Sequence, residues 1–216
     1  GLKKRIVLYT TSGYFDPVYS YIPYEKAIFD CPDIHENEFM SNSVWINKFD
    51  MVFVNTKAMY QEVMRYNSRL KLISNGYMSK KYPHFTHPRL PNSVLFLGGV
   101  SQRINFKLLI NLIQKLPEVH FYFLGEIYLN KYYSELEDRD RLRVWKKLLT
   151  FTNMHYLGKL SETDIPSIVP LFKVGIIPYL STDVFNSFCN PIKLYEYLAG
   201  GLSVVSSPIK QVYELK

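Results

Sequence analysis

The chain has 216 residues, 47% hydrophobic and 16% aromatic, enough for one large or two small packed domains, and no Gly/Ser or Gln/Asn tract of a low-complexity polypeptide interrupts it. Its formal charge of +7 favours anionic partners only weakly, and no nucleic-acid-binding module accompanies that charge, so nucleic acid is not an expected partner. Apolar runs such as Ser93 to Val100 and Val174 to Leu180 fall far short of the roughly 20 residues that cross a bilayer, which excludes a helical span in them.

The first residues carry a basic head, Lys3-Lys4-Arg5, but pass at once into Thr10-Thr11-Ser12, unlike a signal peptide. A cytoplasmic chain is expected, and a leading Gly without Met points to a cleaved tag or a fragment. Strand-like runs follow at Arg5 to Tyr9, Ala27 to Phe29, Asp50 to Asn55 and Lys71 to Ser74. They are β-branched and aromatic without strict alternation, as in strands of a parallel sheet buried on both faces. Residues 77–92 hold three prolines and basic residues with no apolar period, which reads as a linker after a first unit at 1–76. The second unit, 93–216, alternates strands at Val94 to Leu97, His120 to Leu124, Met154 to Leu157, Val174 to Ile177 and Leu202 to Ser206 with helices near Phe106 to Leu116, Tyr132 to Leu149 and Ile165 to Leu171. The expected fold class is α/β, with Rossmann-like doubly wound parallel sheets, in which ligands bind outside the carboxyl ends of the strands. Cys31 and Cys189 lie far apart without metal-ligand or redox spacing and read as reduced structural thiols.

A capped helix near the end carries the most chemical information. Asn190 suits an N-cap, Pro191 the first helical position, and Gly200 the left-handed residue that ends the helix. On that helix Lys193, Glu196 and Gly200 share one side, while Leu194, Leu198 and, less centrally, Tyr197 form a face that packs on a sheet. The positive dipole end at Asn190 to Lys193 forms a seat for a phosphate, and Glu196 one turn on can accept hydrogen bonds from a sugar diol. Lys193 opposes the helix dipole, so its place is better explained by a ligand's phosphate than by helix stability.

These residues resemble the nucleotide-sugar-binding C-terminal domain of retaining GT-B glycosyltransferases of the group 1, family four, type. Val94-Leu95-Phe96-Leu97-Gly98-Gly99 is similar to that domain's opening strand and glycine turn, and Phe121 to Glu126 to its second strand. Met154 to Leu160 with Ile165-Pro166, and Val174 to Tyr179 followed by Asn190 to Gly201, resemble the rest of the pattern. The stretches Ala27 to Asp33, Phe49 to Thr56 and Ser74-Asn75-Gly76 look like the tail of the acceptor-binding N-terminal domain, so the chain reads as truncated at its N-terminus or as an unusually short member.

The resemblance implies that Glu196 binds the ribose hydroxyls and that Lys193 and Arg103 act as the catalytic cations, a fixed guanidinium stabilising the diphosphate as it leaves. Donor-binding positions carried over are Gly98, Gly99, Lys107, Glu126, Asn190, Pro191, Ile192, Leu194 and Glu196. For Gly98 and Gly99 an ordinary tight turn is the competing explanation, Lys107 is an alternative to Arg103, and Glu126 is a candidate for the base pocket. Many members carry a second Glu eight residues before the ribose-binding one, where this chain has Phe188, with Asn186 or Asn190 as substitutes. His35 and Asp33 are the candidates near the reacting centre of the N-terminal domain. Asp138-Arg139-Asp140 imitates a metal-binding carboxylate pair, but its alternating charges fit a solvated helix face, and no metal or other cofactor is expected.

The expected activity is transfer of a sugar from a nucleotide diphosphate-sugar, UDP or GDP form undecided, to a glycan or lipid-linked acceptor with retention, as in polysaccharide biosynthesis. The basic N-terminal half fits a peripheral contact at the inner face of a membrane. The alternatives are a non-catalytic nucleotide-sugar-binding module or subunit, and a GT-B sugar-nucleotide epimerase, for which the acid/base carboxylates and histidines are not evident.

Overall fold

A computed structural model describes residues 6–11, 21–34, 46–76, 82, 88–129 and 135–214. Within it the chain divides into two units, one of residues 1–75, 181–190 and 209–216, the other of 76–180 and 191–208. The second unit is therefore not the single run 93–216 that the sequence suggests, because two late segments return to the first.

The first unit is built on four parallel strands in the order β1 (Val7–Thr10), β2 (Lys26–Cys31), β3 (Met51–Val54) and β4 (Leu70–Leu72). All four runs read as strands in the sequence occur, shifted by a residue or two. Helix α1 (Lys57–Val63) follows β3 and is capped by Thr56, whose hydroxyl oxygen accepts from the Met59 N–H. Ala27, Phe29, Val52, Val54, Phe49 and Met59 form the buried core. Asn67 ties the chain together underneath, its amide donating to the carbonyls of Ile46 and Phe49 at 2.8 and 3.0 Å.

Cys31 and Cys189 are both buried and neither forms a disulfide. Burial, with the charges of Asp33 and Asp30, pushes the Cys31 thiol up to about 12, so it is an inert apolar group at neutral pH.

The second unit has five parallel strands in the order β7 (Met154–Gly158), β6 (His120–Leu124), β5 (Ser93–Leu97), β8 (Val174–Ile177) and β9 (Ser203–Ser206). The chain builds outward from β5 in one direction and then returns to build in the other, so the topological switch lies between β5 and β8. Helices α2 (Phe106–Lys115), α3 (Glu135–Leu148) and α4 (Ile165–Ile168, continued as a 3-10 turn at Val169–Leu171) connect these strands where the sequence places them. Asn105 caps α2 through its side-chain oxygen and the Leu108 N–H at 2.9 Å. Asn153 donates to the carbonyls of Ile113, Leu116 and Val119, fixing the entry to β7. The core runs through Leu95, Phe96, Phe123 and Trp145, with Phe96 stacked on Phe123 at 5.0 Å and Trp145 edge-on to Phe123 and Tyr156.

At the amino end of β6 and β7, His120 Nδ1 lies 2.9 Å from His155 Nε2, and the His155 ring stacks on Tyr122 at 4.6 Å. Burial, and then the charge of His120, hold the His155 imidazole below its ordinary 6.5. The unfolded chain then binds that proton more readily, so this stability is present above about pH 6.5 and is lost as pH falls through that value. The melting temperature is expected to drop between pH 7.5 and 5.5, and a His155→Gln chain to show a flatter profile there. Equal slopes for the two chains would refute this account.

Candidate functional site

Helix α6 (Ile192–Ala199) lies between β8 and β9 in sequence and packs on both strands. Its start differs from the sequence expectation. Pro191, not Asn190, is the N-cap, and no side chain caps the first turn. The Asn190 side-chain amide instead donates to the Asn55 carbonyl at 3.0 Å and to Ser74 Oγ at 3.1 Å, and the Asn190 backbone carbonyl accepts from the Asn75 side-chain amide. Asn190 thus belongs to the first unit's strand ends through its Nδ2 hydrogen bonds.

The helix ends one residue later than expected. Gly200 is right-handed (φ −75°) and Gly201 takes the left-handed conformation (φ 70°). Arg89 closes this end by donating to the carbonyls of Gly201 and Gly200 at 2.6 and 3.2 Å.

The buried face of α6 is Lys193, Leu194 and Tyr197, whereas Leu198, expected to pack on the sheet, is 51% exposed. At 100° per residue Tyr197 sits between Lys193 and Leu194, and Leu198 falls about 100° beyond Tyr197. Leu194 therefore serves packing rather than ligand contact. Ile192 is exposed and Pro191 buried at the helix entrance.

Lys193 is the central group. It is only 9% exposed, and its ammonium lies 4.2 Å from the centre of the Phe96 ring and 4.8 Å from that of Tyr179. Gly98 follows β5 at φ 120°, and a Cβ there would stand 3.0 Å from Lys193 Nζ, so only glycine admits the ammonium and the backbone turn together. Arg103 lies over the same Tyr179 ring at 4.4 Å. Both cations thus contact the Tyr179 ring at the carboxyl ends of β5 and β8. Among the described residues no carboxylate pairs with Lys193. Aromatic faces alone are weak compensation for burying an ammonium, so the arrangement is set for an anion.

The other residues carried over from the sequence have separate surroundings. Gly99 makes room for the Tyr128 ring, which a Cβ would meet at 2.5 Å, so packing accounts for that glycine. Glu126 accepts from Lys159 at 3.1 Å and from the Tyr128 hydroxyl at 3.2 Å. The same carboxylate raises the pKa of exposed Lys159. Lys107 is exposed at the second position of α2. Glu196 is half-buried one turn after Lys193, and its charge adds to burial in raising the Tyr82 phenol above its ordinary 10.0.

Phe188, at the place of the second family glutamate, ends helix α5 (Val184–Phe188), a short helix the sequence reading missed, and packs against the first unit's core. Its ring carries Lys210 Nζ at 5.0 Å, from helix α7 (Lys210–Glu214). Asn186 is likewise buried in α5. Asp140 lies exposed in α3 and pairs with Arg143 at 3.2 Å, as a solvated helix face does. Among the described residues no three His, Cys, Asp or Glu side chains converge as metal ligands, and no helix is long and apolar enough to cross a membrane. Asp33 follows β2, where its carbonyl accepts from the Cys31 thiol, and His35 lies outside the described residues. Sequence reasoning gave no role to Tyr179 or Tyr82. The only local signal for Tyr179 is its place just after Ile176-Ile177-Pro178 at a strand's carboxyl end.

No protein-family model matches the chain. It is 25% identical over 121 residues to the teichuronic acid biosynthesis glycosyltransferase TuaH of Bacillus subtilis, a match covering 56% of this chain and 28% of that protein. Sucrose-phosphate synthase from Thermosynechococcus elongatus superposes with a TM-score of 0.72 at 14% identity, over 94% of this chain and 56% of that one. A variant of S. aureus TarM, solved with fondaparinux, α-GlcNAc-glycerol and UDP, superposes with a TM-score of 0.64 at 16% identity, over 86% of this chain and 37% of that one. The fold is GT-B. The chain spans about a quarter to somewhat over half of the length of these relatives. At such low identity the GT-B structures establish the two Rossmann-like sheets and no more.

Proposed function

We propose that this chain carries the donor site of a glycosyltransferase that moves a sugar from a nucleotide diphosphate-sugar to a glycan or lipid-linked acceptor, with retention. The observation that carries this reading is the Lys193 ammonium, nine-tenths buried on Phe96 and Tyr179 beside Gly98, with Arg103 on the same ring. A diphosphate is an anion that two cations on one aromatic ring, a glycine turn and a helix N-terminus suit. Glu196, one turn along α6, takes the ribose diol. The similarity to TuaH, named for teichuronic acid biosynthesis, supports a glycosyltransferase of polysaccharide biosynthesis, and a nucleotide-sugar donor, UDP or GDP form undecided, fits that reading.

In this reading the bond between the sugar's anomeric carbon and the diphosphate oxygen breaks, the acceptor hydroxyl oxygen bonds to the same face, and its proton passes to the departing diphosphate oxygen. The departing diphosphate gains negative charge as that bond lengthens. Lys193 and Arg103, fixed on Tyr179, stabilise that charge more in the transition state than in the bound donor. The reaction needs no resident cofactor or metal. An acceptor held at a membrane surface would bring the basic chain into peripheral contact with it.

Calorimetric titration with UDP, GDP and ADP tests the donor site. One nucleoside diphosphate is expected to bind, and Glu196→Ala to weaken it at least about tenfold, or about 1.4 kcal/mol. Binding of none of the three refutes the reading. Binding without turnover of any nucleotide sugar in the full-length protein, with acceptors supplied, would leave a binding module instead of an enzyme.

A further inference from the structure

The strands at the switch point do not run together to their ends. β5 pairs with β6 as far as Leu97, and β8 pairs with β9 as far as Ile177, but β5 and β8 pair only at Val94 with Val174 and Leu95 with Gly175. Beyond that point Tyr197 stands between them. Its hydroxyl accepts from the Leu97 N–H at 2.7 Å and donates to the Ile176 carbonyl at 3.3 Å, replacing a missing rung of the ladder. The side chain is completely buried, and its ring lies so close over Gly175 that a Cβ there would meet it at 2.3 Å. Burial holds the phenol well above its ordinary pKa, so it keeps its proton and both hydrogen bonds at any working pH.

We propose that Tyr197 is a positioning residue for the diphosphate, its hydroxyl holding β5 and β8 apart so that the Gly98 turn and the Lys193 ammonium face one anion. The inference rests on the donor-site reading above. Leu97, held by the hydroxyl, is the residue before Gly98, and Lys193 lies one helical turn before Tyr197 on α6. One oxygen thus fixes both the backbone that admits the ammonium and the helix that carries it. Without it, the Leu97 N–H and the Ile176 carbonyl are buried without partners, and they recover one by closing the strands on each other. That closure moves the turn against Lys193, whose Nζ would stand only 3.0 Å from a Cβ at Gly98.

The test is Tyr197→Phe, which keeps the ring, titrated with the nucleoside diphosphate that the wild-type chain binds. A folded, cooperatively melting variant is expected to bind about tenfold more weakly. A purely structural role would lower affinity equally in any background. Positioning through Lys193 predicts instead that Tyr197→Phe costs nothing further in a Lys193→Ala chain. p-Aminophenylalanine at position 197, which restores a donor in the same place, is expected to recover the affinity. Wild-type affinity in Tyr197→Phe, additive losses in the double variant, or a variant that does not fold each overturn the inference while leaving the donor site standing. A wild-type chain that binds no nucleoside diphosphate removes the donor site and this inference with it.

Discussion

Lys193→Met is expected to weaken nucleoside diphosphate binding by about 10- to 100-fold while making the free chain more resistant to denaturant. The two effects share one cause. The ammonium is nine-tenths buried against Phe96 and Tyr179, with no carboxylate partner among the described residues. Its desolvation is compensated in full only when an anion arrives. A hydrogen bond to a charged group is worth about 1.5–3 kcal/mol, and loss of that contact sets the fall in affinity. Met fills the same volume without a charge to desolvate, so the empty site becomes more stable, the usual exchange between function and stability. Denaturant titration of the free chain and calorimetry with the nucleotide separate the two. A Lys193→Met chain that loses both stability and affinity would show the lysine to be structural.

Gly125→Ala is expected to be the most damaging single-methyl change in the second unit. Gly125 ends β6 at φ 151°, and a Cβ there would come within 2.1 Å of the Gly98 carbonyl oxygen, which is backbone and has no rotamer to change. The Gly98 N–H is itself tied to the Leu124 carbonyl at 2.8 Å, and Gly125 N–H to Gly158 at 2.8 Å, so three adjacent strand ends are locked together there. Strain at a glycine-only conformation and the steric conflict together should cost at least about 3 kcal/mol. Thermal melting would detect that as a large drop. Gly158→Ala is the comparison, because a Cβ there meets nothing within 4 Å and only its φ of 75° counts against it. Equal stability of the two variants would refute the steric argument.

The strands were legible because parallel strands covered on both faces read as short apolar runs. β5, with every residue buried or nearly so, is the clearest case. Lys193 stood out in the sequence for another reason: a lysine in the first turn of a helix opposes the dipole, and the side chain is buried with no acid beside it among the described residues. The start of α6 was misread because the local pattern Asn-Pro favours a cap, while the amide of Asn190 is claimed by Asn55, 135 residues away. Local sequence carries no trace of such a partner. Leu198 and Tyr197 changed places for a similar reason, since hydropathy ranks leucine first, but only tyrosine supplies a hydroxyl for the gap between β5 and β8. Helix α5 has only five residues and no period to detect. Tyr179 was not legible because what sets it apart is a ring contacted by two cations from distant elements.

The return of residues 181–190 and 209–216 to the first unit has a consequence for how the chain is made. The strands β1 to β4 leave the ribosome before those of the second unit, yet Thr56 waits for Phe188, Asn55 for Asn190 and Asn75 for Asn190, contacts 115 to 135 residues apart. The sheet of the second unit draws on a nearly continuous stretch, so its strands β5 to β8 emerge before those partners do. Maturation in order of synthesis is thereby inverted: of the two units, the one synthesised earlier is completed later. Such long closures are slow. Nascent chains halted before residue 181 would hold an open first unit, its late-arriving helices still unmade, and would be the species most in need of a chaperone.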